Sequence, residues 1–464
     1  MSRAQRRWRV DGWPFLVTAS LLIAAASMPL WPDDVAYDPY SWAVWGRELA
    51  HLHLDTRGSA TAVKPLPMLV DALFAFTGSH LPACWLYVAR FGSVLAFAAV
   101  FRLAHRLGGW SAAAVAVAGL AVSDQFLGYL FMRGMSEPWA AALLVAGVDC
   151  FLLGRRRATV ACLVATAYLR PEAWPLLLAF LVYLTWRTSW TKRVVALAFG
   201  VFVPFSWFFV DWVGSGHFNR SERVAVVPTE GGPLVSHHPA IATFTETWRL
   251  ASGPIVVLFL VGLVASLALW WRRGHHLDLA TLPAPTTVAV VALSWVVIEA
   301  VLAQSRLAAG LPRYLMPGEA LACAVAGWVV AAGRRWWTPV LAVATVLALL
   351  PWLIQAGSQW RAGIRKGPQD IALNHHLVTA IRLSGGAGAI DRCGVVSTRN
   401  FQKPLVAWEL NAPLHQVEML ATPGGTVLQQ AGVPRIPQQD ANHFRVVVTM
   451  YGPPQSSWRV LTAC

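Results

Sequence analysis

Residues 31–49 read WPDDVAYDPYSWAVWGREL. They follow directly on an unbroken apolar run, WPFLVTASLLIAAASMPL, residues 13–30. That run has roughly the ~20-residue length of a helix crossing a bilayer. Asp33, Asp34 and Asp38 therefore stand just where the chain leaves the apolar phase, among Trp31, Tyr37, Tyr40, Trp42 and Trp45. Ionisable groups at such a boundary are costly unless they face water or do chemistry. The aromatic residues suit either an interfacial belt or a platform for a sugar or lipid chain. A solvated loop with aromatic anchors is the plain alternative.

Outward from this stretch, similar apolar runs recur along most of the chain. Of 464 residues, 56% are hydrophobic and 13% charged, against about 25% charged in soluble domains. Too little polar surface exists for one large soluble core, so the chain reads as a polytopic membrane protein. The net charge of +14 is spread in short clusters between apolar runs. These are Arg3, Arg6, Arg7 and Arg9; Arg102 and Arg106; Arg155, Arg156 and Arg157; Arg187, Lys192 and Arg193; Arg272 and Arg273; Arg334 and Arg335. That is the positive-inside pattern of cytoplasmic loops. A nucleic-acid surface needs a continuous basic stripe, which is absent. No small-residue cleavage site precedes Trp31, so the first apolar run is expected to be a retained helix.

With the basic clusters inside, about eleven transmembrane helices fit. They cover residues 13–30, 81–103, 110–126, 136–153, 158–169, 173–186, 194–212, 254–271, 288–303, 314–332 and 336–355. The N-terminus is then cytoplasmic, and everything beyond Gln355 lies outside a cell membrane. Polar segments 31–80, 125–135, 213–253 and 304–312 share that outer side. Within the first, Pro65–Thr77 is too short to span and reads as a re-entrant or surface-lying helix. Residues 1–356 form the membrane domain. Residues 357–464 form a small extracytoplasmic α/β domain, with a helix over Asp370–Leu383. β-prone runs follow at Gly394–Ser397, Leu405–Leu410, His415–Leu420, Phe444–Thr449 and Trp458–Thr462.

Cys84, Cys150, Cys162 and Cys323 sit in or beside apolar runs and act as small hydrophobes. Cys393 and Cys464 are the two in the outer domain, where an oxidising compartment favours their pairing. There is no internal repeat, no phosphate-binding glycine loop and no Cys/His zinc spacing. The adjacent pairs His237-His238 and His375-His376 do not share a helix face, which argues against ligation by either pair.

Further acids and bases fall at expected outer helix ends. Lys64 precedes Pro65-Leu66-Pro67; Arg133 and Glu137 flank a short loop; Arg170 and Glu172 lie in YLRPEAW; Arg313 lies in GLPRYLMPGE. Carboxylates can supply a general base and separate cations can hold a phosphate. Each residue singly also suits a helix-end anchor. Asp38 precedes Pro39 and a helix-like aromatic run, so a rigid element can aim it. Grouped aspartates can also hold a divalent cation such as Mg or Mn through oxygen. Glu299, Glu319 and Asp149 fall within or near spans. Glu319, about two helical turns from Arg313, has an equally good structural reading. Asp124 belongs at the rim.

The motifs DPYSWAVWGREL, VKPLPMLVDALF, MSEPWAAALL, YLRPEAWPLLL and PRYLMPGEALA, in that order, resemble those of actinobacterial multi-spanning proteins. These are GT-C glycosyltransferases or their relatives among mannosyl- and arabinosyltransferases. The resemblance covers most of the membrane part. It implies a sugar, mannose or arabinose, carried on a polyprenyl phosphate and passed to a glycan, glycolipid or protein acceptor by inverting displacement. It also implies a base among Asp38, Asp34 and Asp33, in that order. Lys64, Arg170 and Arg313 would hold the phosphate; Glu137 and Glu172 would orient them or the acceptor. No cofactor is required by this chemistry. Related transferases often open the loop with Asp-Glu, where this chain has Asp33-Asp34. A lipid-linked-saccharide flippase and a non-catalytic assembly protein are the alternatives.

Overall fold

Apolar segments in a bilayer become helices because each backbone polar group must find its partner inside the segment. The computed structural model describes residues 12–227, 231–272, 282–333, 336–422, 424–430, 444–450 and 457–464. The basic residues Arg3, Arg6, Arg7, Arg9, Arg273, Arg334 and Arg335 lie outside the described residues. The helices that frame the candidate site are α1 (Trp13–Leu30), α2 (Tyr37–Ala50), α3 (Pro65–Phe74), α4 (Leu81–Ala121), α5 (Glu137–Leu152), α6 (Arg156–Ala167), α7 (Ala173–Thr185) and α8 (Trp190–Ser215). They continue as α9 (Arg220–Ala225), α10 (Pro239–Leu250), α11 (Gly253–Arg272), α12 (Ala284–Gln304), α13 (Met316–Ala331), α14 (Thr338–Ala348), α15 (Leu350–Leu383), α16 (Ala387–Arg392) and α17 (Lys403–Glu409).

Among the described residues, six helices are long and apolar enough to cross a membrane. A seventh is added if α14 and α15, bent by 50° at their junction, make one broken span. Against the expected eleven or so spans stand six or seven candidates by length and composition, one of them the 57-residue run Pro65–Ala121, and several of the other expected spans are short. α5, α6 and α7 have 16, 12 and 13 residues. At 1.5 Å per residue the longest of these rises about 24 Å, short of the ~30 Å hydrocarbon core. The expected pair 81–103 and 110–126 lies on α4, which Gly108 and Gly109 divide into two helices. Gly109 has φ 75°, a conformation that a side chain resists. The surface-lying helix expected over Pro65–Thr77 is α3 followed by a 3₁₀ turn, Ala75–His80.

α13 runs along α4 at the centre of the bundle. Both contribute alanines buried completely, among them Ala99, Ala112, Ala116, Ala320 and Ala324. Small residues let apolar helices approach closely where lipid offers no hydrophobic drive between them. At Gly327 a β-carbon would collide with the Ala112 carbonyl. Asp149, near the Trp13 end of α1, accepts from Trp13 Nε1 at 3.0 Å and Arg102 Nε at 2.8 Å, and pairs with Arg106. This buried acid is thereby used in joining α1, α4 and α5.

The C-terminal strands are β1 (Val396–Ser397), β2 (Val417–Glu418), β3 (Thr426–Gln430), β4 (Arg445–Thr449) and β5 (Trp458–Thr462). They form one mixed sheet in the order β2-β1-β3-β5-β4. β1 pairs parallel with β2 and β3; β5 pairs antiparallel with β3 and β4. The strand expected over Leu405–Leu410 is instead α17. Pro404 sits in its first turn, and Val406 and Leu410, four residues apart, both go inward, the spacing of one helix face. β3 was not expected, and Cys393 and Cys464 form a disulfide.

α15 runs without a break through residues 356 and 357, the expected division. The sheet does not stand apart from the rest. A single apolar core joins Val35, Tyr40, Trp42, Trp45 and Trp85 to Leu377, Leu405, Val406, Trp458 and Val460. Arg47 of α2 donates to the carbonyls of Trp408 and Ala412. Trp458 Nε1 donates to the Leu373 carbonyl at 2.9 Å. The polar loop after α1 is thus clamped between the bundle and the sheet.

Candidate functional site

Five breaks between helices bring the expected charged residues together. Asp38 is in the first turn of α2, where the helix dipole favours an acid. Lys64 precedes α3 with extended backbone. Glu137 opens α5, with Ser136 just before it. Arg170 and Glu172 occupy the turn between α6 and α7, and Arg313 lies in the 3₁₀ turn Pro312–Leu315 that leads into α13. Prolines at 39, 65, 138, 171 and 312 punctuate all five segments. Proline suits a helix start, where its missing donor costs nothing.

Glu137 is the hub. Its Oε1 lies 3.3 Å from Lys64 Nζ, 3.6 Å from Arg170 Nη1 and 3.8 Å from Arg313 Nε. Lys64 also donates to Ser136 Oγ at 2.7 Å. Arg170 grips Glu172 with two hydrogen bonds, 2.8 and 3.2 Å, and lies 3.6 Å above the Tyr314 ring. Arg313 Nη2 stands 3.6 Å from Asp38 Oδ2, while Thr61 donates to Asp38 Oδ1 at 3.3 Å. The Glu137 side chain is 1% exposed, Asp38 19% and Arg313 27%. Asp38 and Arg313 therefore form the accessible side of the cluster. Arg313 Nε is buried and finds no hydrogen-bond acceptor. Burial pulls the Lys64 ammonium below the usual lysine range, Glu137 opposes this, and Arg170 and Arg313 add to it.

The three aspartates do not act as one group. Asp33 is exposed. Asp34 is buried, 2.7 Å from Arg133 Nη1, and accepts from Asn374 at 2.7 Å and Tyr40 at 3.3 Å. Burial raises its carboxyl above the usual range despite Arg133. Asp38 faces Thr61 and Arg313 instead. Among the described residues no three His, Cys, Asp or Glu side chains are placed to hold a metal ion. Asp33, Asp34 and Asp38, the residues that could have grouped about a divalent cation, have separate surroundings.

Trp42 and Trp45 are fully buried. Trp42 packs edge-on against Trp85 at 5.3 Å, so these two form core, neither belt nor platform. Trp31 packs on Phe131 and Trp360. Glu319 accepts from Ser123 at 2.6 Å. Glu299 accepts from the Gly310 amide at 3.1 Å, and Asp124 from Gln359 at 2.7 Å. Sequence reasoning missed Thr61, Ser136 and Tyr314. Ser136 and Tyr314 adjoin residues it named; Thr61 carries no signal of its own.

Beside the cluster lies a cavity of about 510 Å³. Lys64, Arg170, Glu172 and Tyr314 reach it, and most of the remaining wall is apolar, with Trp174, Leu178, Val201, Pro204, Trp207 and Phe208. Such a space suits a long apolar chain that ends in an anion.

No family model matches the chain, and no curated protein does. Solved structures do. ArnT from Cupriavidus metallidurans bound to undecaprenyl phosphate is similar over 98% of this chain and 99% of its own, at 13% identity and TM-score 0.53. The apo state of the same protein matches over 100% and 99%, at 13% identity and TM-score 0.54. The Archaeoglobus fulgidus oligosaccharyltransferase in complex with Zn and sulfate matches over 89% of this chain and 68% of its own, at 12% identity and TM-score 0.50. The fold is GT-C-like on this likeness, which at such identities speaks for the fold alone.

Proposed function

We propose that the chain is a membrane glycosyltransferase of GT-C type. It moves a sugar, mannose or arabinose, from a polyprenyl-phosphate carrier to a cell-envelope acceptor on the outer face. The observation that carries this reading is the apolar cavity that meets Lys64 and Arg170 at the buried charge cluster. A polyprenyl chain would lie along the α7–α8 wall with its phosphate toward the cations. The undecaprenyl phosphate bound to a protein of similar fold supports the same class of donor.

In the reaction an acceptor hydroxyl attacks the anomeric carbon while the bond from that carbon to the phosphate oxygen breaks. The phosphate leaves with the bonding electrons, and the hydroxyl proton passes to a base. Asp38 fills the base role: it is accessible and held from both sides by Thr61 and Arg313. Asp34 is tied to Arg133 and Asp33 is exposed, so both rank behind it. Arg313 is partly exposed beside Asp38, and its planar fork suits the oxygens of a departing phosphate. Lys64 and Arg170 share that charge; Glu137 and Glu172 hold them in place. Phosphate is a good leaving group, so no second acid is needed, unlike glycoside hydrolysis. In this reading the N-terminus is cytoplasmic and residues 357–464 lie outside. A flippase has weaker support, because these charges gather at one end of the bundle rather than along a path through it.

The test uses purified protein in nanodiscs, polyprenyl-phosphate sugars and cell-envelope extract. Wild type is expected to transfer sugar. Asp38→Asn is expected to bind donor and to lose about 10²–10⁴-fold in rate, the usual share of a general base. Equal rates would remove Asp38 from the role, and absence of donor binding to wild type would reject the transferase.

A further inference from the structure

A second cavity, of about 280 Å³, opens where the start of α2, the middle of α15 and the start of α17 meet. It is polar where the first is apolar. Its buried side is a linked set of hydrogen-bonding groups. Arg133 Nη1 reaches Asp34 at 2.7 Å and Asp370 at 2.6 Å, and Asn374 Nδ2 donates to Asp34 at 2.7 Å and to the Tyr40 hydroxyl at 3.0 Å. Its open side is aromatic. Tyr37 and Phe401 meet edge-on at 5.7 Å, and Phe401 is 72% exposed. Gln402 also lines it; the Gln402 Oε1 is buried and accepts no hydrogen bond.

Three features select the ligand. Asp34 and Asp370 balance Arg133 and Lys366, so the lining draws neither an anion nor a cation. Donors and acceptors alternate over a short distance, which matches a ring bearing several hydroxyls. An exposed aromatic ring at the mouth, Phe401, offers a face for the C–H side of such a ring. The place is right as well. Tyr37 is the residue before Asp38, and its hydroxyl donates to Asn400 Oδ1 at 3.3 Å, beside Phe401. Asp38 turns Oδ2 to Arg313 and Oδ1 to Thr61. Its two oxygens thus face the cation cluster and the loop behind Tyr37.

We propose that this cavity is the acceptor subsite and holds a neutral sugar ring of a glycan acceptor, with the ring stacked on Phe401. The assignment rests on the transferase reading. It makes the C-terminal segment part of the site, since Asp370, Asn374, Phe401 and Gln402 all come from it.

The test is saturation-transfer NMR on the full chain in nanodiscs, with methyl α-mannopyranoside and methyl α-arabinofuranoside as probes. Undecaprenyl phosphate binding is measured alongside. Wild type is expected to saturate the ring protons of at least one glycoside. Phe401→Ala, at an exposed position, is expected to weaken that signal about fivefold or more, the worth of one aromatic ring contact of ~1 kcal/mol; Phe401→Trp is expected to keep it. Lipid phosphate binding should be the same in all three. The proposal is overturned if neither glycoside binds wild type, or if Phe401→Ala binds as well as wild type. Glycoside binding without any lipid phosphate binding would reject the transferase and the acceptor role with it, and leave a saccharide site of another purpose.

Discussion

Glu137 Oε1 stands 3.3 Å from Lys64 Nζ, with the two side chains 1% and 10% exposed. Arg170 and Arg313 close on the same oxygen. One buried acid is therefore shared by three cations, of which Arg170 also has Glu172 and Arg313 has Asp38. Removing one partner of a buried pair leaves uncompensated charge, at a cost of about 3–5 kcal/mol. Glu137→Ala is expected to lower the Tm in detergent accordingly. Combining it with Lys64→Met should recover part of the loss, because neighbours in one network are not additive. An unchanged Tm in the single variant would show that Glu137 does not carry this role.

Arg313 tests a different property. It stands 3.6 Å from Asp38 and 3.8 Å from Glu137, beyond good hydrogen-bond range of either. In the proposed reaction its donors would serve the departing phosphate. Removing a donor aimed at developing charge costs about 10²–10³-fold in rate. Arg313→Ala is expected to reduce kcat and kcat/KM together, the sign of an interaction made only in the transition state. A rise in KM with kcat unchanged would instead make Arg313 a ground-state anchor.

The charged residues of this cluster were legible in the sequence because each sits beside a proline at the end of an apolar run. The topology puts such ends on one side, whatever the exact number of spans. Their hub was not legible. Glu137 looks like an orienting group in MSEPW, and only the packing of α5 against α4 and α13 makes it the common partner. The opening aromatic stretch misled for a related reason. Trp42 and Trp45 read as surface residues on a polar loop, but the C-terminal segment covers that loop and makes it core. Contacts between residues more than 300 apart, such as Asp34 with Asn374, leave no local trace. The strand expected at Leu405–Leu410 failed because a short apolar run fits either period, and Pro404 favoured the helix.

Arg133 links three parts of the chain that the sequence keeps far apart. It bridges Asp34 of the first loop and Asp370 of α15, and the Arg133 carbonyl accepts from the Ala36 amide at 2.9 Å. Arg133→Met keeps volume and removes charge, leaving Asp34 buried without its cation. The expected cost is about 3 kcal/mol, the low end for breaking such a pair. The loosening should be local: faster amide exchange over residues 366–381 and the start of α2, with the apolar helices unchanged. Exchange over these residues unchanged from wild type would deny Arg133 this part.

Acidity should tighten the same junction. Burial pushes Glu48, on α2, up to about 7, against the Asp55 amide and Arg47. Burial also pushes Glu409, on α17, up to about 7. Both start from 4.5 when unfolded. Between 4.5 and 7 the folded chain therefore holds more protons than the unfolded one, and stability falls as pH rises. The stabilisation is complete below the unfolded value and is lost as pH passes through the folded one. The Tm of the purified protein is expected to decline from about pH 4.5 to about pH 7. Glu48→Gln, neutral throughout, should flatten that slope, and Glu48→Gln with Glu409→Gln should flatten it further. A Tm that climbs over this range would mean that both carboxylates are ionised in the folded protein.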